Sequence, residues 1–275
     1  VLILKRSRTI QPTGIPRVNW SSPLTKGIKV LVSGGSGTVN LVRGDRLVSS
    51  SLIPGTGAAG SSFKAEIAGY GSILVPNRSE FNAASGWTIF GLIRSTNSVV
   101  AQFVLNRNYD GATVPASLCI GGGAGAIDGA AYYSGGWNYS GLGTDIRGDN
   151  IIHSVVGILN REGSGALEYY IDGVLAASAA GTTSPPTGTG DLYVGRYENN
   201  AQSLVGDIFI AGYSTVAWRT DEVKSFHKNP WQLFGPVSKR IPLNAAAPTL
   251  PTLSAATYMP GSITSSGFRP RVTAS

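Results

Sequence analysis

The sequence predicts an all-β protein, a two-sheet antiparallel sandwich or jelly roll with one short helix late in the chain. Three observations predict it. Only 13% of the 275 residues are charged, about half the usual quarter, which argues against long salt-bridged helices and coiled coils. The 37 glycines and 15 prolines cut the chain into short apolar runs, as strands joined by tight turns require. Those runs, roughly ten of them, are rich in β-branched and aromatic residues and recur at the spacing of an all-β domain.

Residues 1–30 contain Pro12, Pro16 and Pro23 with no sustained periodicity, and read as an extended arm. Residues 31–235 read as the sandwich domain and 236–275 as a second extended arm, rich in Pro, Ala, Thr and Ser. Short runs at Ile28–Val32, Leu47–Ile53 and Ile73–Val75 are followed by clearer strands at Trp87–Ile93 and Val99–Leu105. Ser117–Ile120 and Ala130–Tyr133 each precede glycines, and Ile151–Leu159 is a long apolar strand suited to a sandwich core. Ala166–Ile171, Asp172-Gly173 and Val174–Ser178 spell a hairpin, because Asp-Gly supplies the positive φ of a two-residue type I′ turn. Asp191–Gly195 is a further strand, and Leu204–Tyr213 is either another strand pair or one long strand. The helix begins at Thr220, expected as its N-cap, with Asp221 and Glu222 in the first turn. Val223 and Phe226 form its apolar stripe, His227 and Lys228 its last turn, and Asn229-Pro230 its stop.

Charge is uneven along the chain. Residues 1–30 carry +6 and residues 236–275 carry +4, neither with an acid, which leaves −3 for the middle of a chain whose net charge is +7. Basic ends on a mildly acidic body suggest arms that dock on an acidic surface. Both ends also hold apolar and aromatic residues, which disordered tails usually lack. No stretch approaches ~18 consecutive apolar residues, so no membrane span is expected. At the start Val-Leu-Ile-Leu precedes Lys5-Arg6-Ser-Arg8, the reverse of signal-peptide order, so secretion by that route is not supported.

The Tyr-Ile-Asp-Gly-Val hairpin, the later Tyr-Val-Gly and Gly-Asp-Ile-Phe-Ile strands and the short helix occur in an order that resembles the second half of a laminin G-like, or concanavalin A-like, jelly roll. The resemblance covers roughly residues 85–235 and includes an apolar strand like Ile152–Ile158 before the hairpin. A narrower resemblance links Asn229-Pro-Trp-Gln-Leu-Phe-Gly-Pro236, the opening Val18–Gly27 and the close Phe268–Val272 to laminin G-like virion proteins of tailed bacteriophages. It implies a non-enzymatic structural protein on the outer surface of the virion, of the capsid-decoration or cement kind. Its partners would be the major capsid protein and neighbouring virion subunits, with homo-oligomerisation expected. Lys5, Arg6, Arg8, Arg17, Trp20, Arg269 and Arg271 are the anchors expected to meet the capsid. Because the fold also hosts lectins, glycanases and adhesion modules, it does not define a function by itself.

The alternative is a glycan-binding adhesin on a tail or head fibre that attaches to host surface polysaccharide. Its platform would be Tyr133, Trp137 and Tyr139, aromatics in a Gly-rich loop next to the Asn138 amide, suited to stacking on a sugar and hydrogen bonding to it. The competing reading packs Tyr132 and Trp137 into the sandwich rim or a neighbouring subunit. A glycosidase of this fold would want two carboxylates on one strand at i, i+2 or i+4, and Glu66, Glu80, Glu162, Glu168, Glu198 and Glu222 all stand apart. No Gly-x-Ser-x-Gly elbow leads into a helix, and the glycine runs at 34–37 and 121–125 lack the Lys-Ser/Thr of a phosphate loop.

No catalytic residue, cofactor or metal site is therefore expected. One cysteine, Cys119 in an apolar run, and two histidines exclude an internal disulfide and a Cys/His zinc cluster. Asp110, Asp128 and Asp149 are too scattered for a calcium loop. His153 reads as a satisfied core or inter-sheet residue and His227 as a partner of the helix C-terminus. The two Arg-Gly-Asp tripeptides, 43–45 and 147–149, read as turns. Basic residues at the ends and aromatics in the middle make a nucleic-acid surface a weak reading.

Overall fold

The computed structural model describes residues 11, 16–36, 38–50, 52–65, 71–82, 86–98, 101–107, 116–121, 129–133, 137–141, 143–162, 165–182, 188–196 and 202–235. They belong to one compact unit. In chain order the strands are β1 (Ile28–Ser33), β2 (Val39–Asn40), β3 (Asp45–Arg46), β4 (Val48–Ser50), β5 (Ile53–Gly57), β6 (Gly60–Ala65), β7 (Ser72–Val75) and β8 (Gly86–Ser95). There follow β9 (Gln102–Arg107), β10 (Ala116–Ile120), β11 (Gly129–Tyr133), β12 (Trp137–Tyr139), β13 (Ile152–Asn160), β14 (Ala166–Ile171), β15 (Val174–Ala180), β16 (Leu192–Val194) and β17 (Gly206–Ser214). The helix is α1 (Thr220–Lys228), and short 3-10 turns lie at Pro23–Thr25 and Pro230–Leu233. There are more strands than the apolar runs mark, because pieces of two or three residues are too short to show a period.

Two antiparallel sheets make the sandwich. The larger runs β15-β14-β13-β8-β17-β6-β5, with β1 also paired to β17; the smaller runs β12-β11-β10-β9-β16-β7-β4. The expected all-β, two-sheet antiparallel jelly-roll fold is thus the one observed, and residues 206–214 form a single strand rather than a pair.

The near-continuous apolar runs of β8, β13 and β17 have a physical cause. Both faces of the larger sheet are buried, so alternation between polar and apolar residues is lost. Trp87, Ile89, Ile93, Val155 and Leu159 face the core between the sheets. Phe90, Leu92, Val156 and Ile158 face a second core on the sheet's outer side, under α1 and the two 3-10 turns. A bulge in β17 between Ile208 and Ile210 switches its faces, which puts Ile208 in the first core and both Phe209 and Ile210 in the second.

The second core is aromatic. Phe90 stacks on Trp218 at 4.6 Å between ring centroids and meets Phe226 edge-on at 5.4 Å. A Cβ at position 212 would lie 2.2 Å from Phe90 Cζ, so Gly212 supplies the room that this ring occupies. Helix α1 contributes Val223 and Phe226, as its stripe predicts. Its N-cap is Arg219 and not Thr220: Glu222 Oε2 accepts the Arg219 N–H at 2.7 Å, so the acid three residues on closes the end that a threonine hydroxyl was expected to close.

Part of the expected N-terminal arm belongs to the body. Leu24 and Ile28 are buried in the second core, and β1 pairs with β17. Pro23 opens the 3-10 turn that carries Leu24 onto the sheet, and Pro12 lies outside the described residues. Residues 236–275 lie outside the described residues.

The Asp172-Gly173 turn forms as expected, with φ of 51° and 78°. Cys119 is buried. Truncating Phe226 to alanine removes the ring that holds α1 to Phe90 and Trp218. It should cost about 3–5 kcal/mol of stability, read as a lowered urea midpoint with the β-sheet circular dichroism retained below the transition.

Candidate functional site

A polar groove runs along the outer side of the larger sheet, at the N-terminal end of α1. Its main part has a volume of about 670 Å³. Three separate stretches build it: Pro23 and Lys26 beside the first 3-10 turn; Asn160, Glu162 and Glu168 from β13, β14 and their connection; and Val216 to Thr220 with Glu222 ahead of and within α1. A second concavity of about 480 Å³, lined by residues 20–23 and 25–27, shares Pro23 and Lys26 with the first, so the groove continues to Trp20.

Trp20 is 61% exposed, yet its backbone is held. The Asn19 N–H donates to Leu233 O at 2.8 Å, and Asn19 O accepts from the Ser22 N–H at 2.9 Å and from Thr25 Oγ1 at 3.1 Å. Asn19 Nδ2 also donates to Gln232 O at 3.1 Å. A large aromatic ring displayed from a pinned turn is preorganised to meet a flat apolar surface.

Inside the groove the polar groups are positioned by the fold. Tyr170 Oη donates to Glu168 Oε2 at 2.8 Å and lies 3.3 Å from Thr220 Oγ1. Burial, first among the causes, raises the Tyr170 phenol above its ordinary value, so the hydroxyl stays a donor. The Trp218 N–H donates to Thr88 Oγ1 at 2.8 Å, which holds the groove wall to β8. Glu162, Glu168 and Glu222 therefore line one groove, although in the sequence they stand apart. The antiparallel β13–β14 pair and the docking of α1 unite them, which no spacing rule within one strand could register.

A second polar cluster sits at the other end of α1. His153 places Nδ1 2.7 Å from Asp172 Oδ2 and Nε2 2.8 Å from Asp149 Oδ2. A carboxylate on each ring nitrogen favours the doubly protonated imidazolium, in which both nitrogens donate. Its pKa is raised accordingly, by the Asp172 hydrogen bond first and with Asp149 adding to it, against the opposing effect of burial. Burial opposes ionisation of Asp172, but hydrogen bonds from His153 and from the Ser154 N–H, with the nearby His227, hold its carboxyl below the usual range.

Ser154 Oγ and His227 Nδ1 are 3.0 Å apart, and the same Nδ1 lies 3.6 Å from Asp172 Oδ1. A nucleophilic triad needs serine on one imidazole nitrogen and aspartate on the other. Here both face a single nitrogen, so the cluster is a clamp joining β13, the hairpin turn and α1. His153 is thus satisfied, as its reading as a satisfied core or inter-sheet residue expects, and its partners are the two aspartates. His227 partners Ser154 and Asp172 across the sheet, where a role at its own helix terminus was expected. A pocket of about 260 Å³ adjoins the clamp, with Leu92, Ile152 and Trp231 among its lining residues.

The residues singled out from sequence are dispersed. Lys5, Arg6, Arg8, Arg269 and Arg271 lie outside the described residues. Arg17 is exposed, and Trp20 borders the groove. Tyr133 and Trp137 are not in a free loop: they are directly paired residues of β11 and β12, and Tyr139 pairs with Ala131. Tyr139 is half-buried, with its phenol raised by burial, and Tyr132 is buried in the main core. Both Arg-Gly-Asp tripeptides are tied internally. Arg43 pairs with Asp45 and Glu80, Arg147 with Asp145, and Asp149 with His153. Among the described residues no group of three or more His, Cys, Asp or Glu side chains could hold a metal ion.

Comparison with protein-family models finds no match, and neither does comparison with curated proteins. Solved structures do match. Domain 4 of AbnA, a GH43 extracellular arabinanase from Geobacillus stearothermophilus solved in complex with arabinotriose, superposes with a TM-score of 0.54 at 13% identity over 73% of this chain and 98% of that one. The binding domain of Paraclostridial Mosquitocidal Protein 1 gives 0.51 at 13%, over 74% of this chain and 52% of that one. Trypanosoma rangeli sialidase in complex with sialic acid gives 0.51 at 14%, over 75% of this chain and 33% of that one. The likeness is one of fold.

The His153 clamp has a signed consequence for stability. A raised folded-state pKa means that its contribution is fully present below the unfolded value near 6.5 and is lost as pH rises through the folded value. The urea midpoint should therefore fall on the alkaline side of about pH 6.5, and His153→Gln should flatten that slope. Asp172 acts in the opposite direction. Its lowered pKa contributes stability above about 3.8 that disappears as pH falls through the folded value, so Asp172→Asn should blunt acid unfolding, read by the same titration.

Proposed function

We propose that this protein is a non-enzymatic glycan-binding β-sandwich module and that the groove ending at Trp20 holds the sugar. The observation that carries the reading is the pinned, 61% exposed Trp20 ring at the mouth of a groove lined by carboxylates, an amide and a hydroxyl. Sugars present an apolar face for stacking and a fringe of hydroxyls for acceptors, and this lining offers both. The fold neighbour matched over 98% of its own length, domain 4 of AbnA, was solved in complex with arabinotriose, which supports such use of the sandwich. Glu168 and Glu222 already accept hydrogen bonds from Tyr170 and the Arg219 amide, which supports binding rather than turnover.

Binding to an array of bacterial surface polysaccharides and their oligosaccharides tests the reading. Trp20→Ala should weaken the best ligand by about tenfold or more, equivalent to about 1.4 kcal/mol, with an unchanged melting temperature. Loss of binding on Tyr139→Ala instead, with Trp20→Ala silent, would move the site to the β11–β12 hairpin. Release of reducing ends from the bound oligosaccharide would overturn the non-enzymatic part.

A second reading concerns where the module sits, and we propose the outer surface of a tailed-phage virion, with the terminal segments as anchors on the capsid. One feature of the body favours anchoring. Val18 pairs with Phe234, and the Gly235 N–H donates to Arg17 O at 2.8 Å, so residues 17–18 and 234–235 run side by side in the body. Residues 1–15 and 236–275 hold seven basic residues and no acid, while the remainder has fifteen of each sign. Two basic terminal segments on a neutral body suit attachment to an acidic shell, where several weak contacts act together. Deleting residues 1–10, which hold Lys5, Arg6 and Arg8 and spare the buried Gln11, should leave the fold and sugar binding intact and abolish incorporation into particles, scored by the protein content of purified virions.

A further inference from the structure

A sheet edge that is left open exposes a row of backbone N–H and C=O groups, and natural proteins shorten such edges, charge them or break them with proline. Among the described strands the other edges of this sandwich are protected, that of β1 by Asn40 and Leu41, which bond to its Lys29 and Leu31 backbone groups. In the smaller sheet, β4 and β12 are three residues long; in the larger, β5 carries Pro54 with Gly55 and Gly57. The remaining edge is β15, seven residues reading Val-Leu-Ala-Ala-Ser-Ala-Ala, with no charge and no proline. Val174 and Leu175 on it are 68% and 49% exposed, and Ile151, which precedes β13 one strand further in, is 58% exposed. A register shift between β14 and β15 at Ala176 bends the strand, and Ala177 to Ala180 pair regularly with β14.

We infer that β15 is a self-association edge, on which a second copy of this chain adds its own β15 antiparallel about a two-fold axis to join the two larger sheets. The strand's chemistry favours a copy of itself over a foreign strand. It holds no charged side chain to select a partner of opposite sign, and two-fold pairing therefore sets no like charges against each other. Its small side chains allow close approach in any antiparallel register, while Val174 and Leu175 supply apolar surface at one end of the strand. A seven-residue edge buries less than the ~800 Å² per partner of a standard interface, so the dimer is expected to be reversible and to form in the micromolar range. Crowding on a surface would favour it further.

Sedimentation equilibrium of the full chain tests this, with loading concentrations from about 1 to about 100 µM to span that range. The mass should rise from 28.5 kDa toward twice that value. Ser178→Lys with Ala180→Lys should hold the protein at the monomer mass throughout. Both positions are exposed, and a lysine at 178 faces Glu168 across the β14–β15 pair, so the fold should tolerate it. A wild-type protein that stays monomeric at the highest concentration overturns the proposal. So does a dimer whose dissociation constant is unchanged in the double variant. If the variant unfolds, hydrogen exchange of the wild type decides instead: amides of residues 174–180 must gain protection between the dilute and concentrated samples, and their failure to do so overturns it.

Discussion

The stack of Phe90, Trp218 and Phe226 is the interaction on which the outer half of this molecule depends. A nine-residue helix is too short to be stable alone in water, so α1 exists because its apolar stripe is buried. Phe90 can receive it only because Gly212 on the adjacent strand has no side chain to fill the same space. The Trp218 N–H bond to Thr88 then sets where the chain enters the helix. Once the helix is seated, its first turn completes the polar groove, and its last turn brings His227 to Ser154 and Asp172. One aromatic contact thus positions two polar sites at opposite ends of a single element.

Buried polarity in the sandwich is concentrated in a few well-connected groups. Asp207, 1% exposed, accepts from Ser62 Oγ at 2.6 Å and from Arg94 Nε at 2.9 Å, tying β6, β8 and β17 together across the middle of the larger sheet. Arg107, also 1% exposed, donates to Phe81 O at 3.2 Å and to the Asn77 and Asn82 side chains at 3.0 and 2.9 Å, and Tyr213 Oη donates to the same Phe81 O at 2.7 Å. A buried charge is costly unless several partners meet it, and each of these is met by several. The His153 clamp differs in depending on a proton, because the ring can donate to both carboxylates only while it is doubly protonated.

The charge distribution and the groove describe two separate capacities. Residues 16–235 are neutral overall and present an exposed ring beside a groove lined by carboxylates, an amide and a hydroxyl. The net positive charge lies in the terminal sequences on either side of them.

How much of this was legible in the sequence depends on the range of the interaction. The Asp172-Gly173 hairpin, the strands at 87–93, 151–159 and 166–171 and the helix stop at Asn229-Pro230 rest on local backbone preference and apolar runs, and all are where those signals put them. Local reasoning failed where the partner was distant. Thr220 looked like a cap because hydroxyls usually cap, but Glu222 reaches the Arg219 amide first. Glu162, Glu168 and Glu222 looked isolated because the strand pairing that unites them is a property of sheet order. His153 and His227 looked unrelated because the turn between β14 and β15 and the docking of α1 bring them to one aspartate. By itself the sequence determined that the chain forms a two-sheet β-sandwich with a hairpin at Asp172-Gly173 and one late helix, since these follow from interactions between near neighbours. Only the tertiary structure decided which polar residues meet, because strand order and helix docking are settled by burial of the whole apolar surface and not by any local pattern.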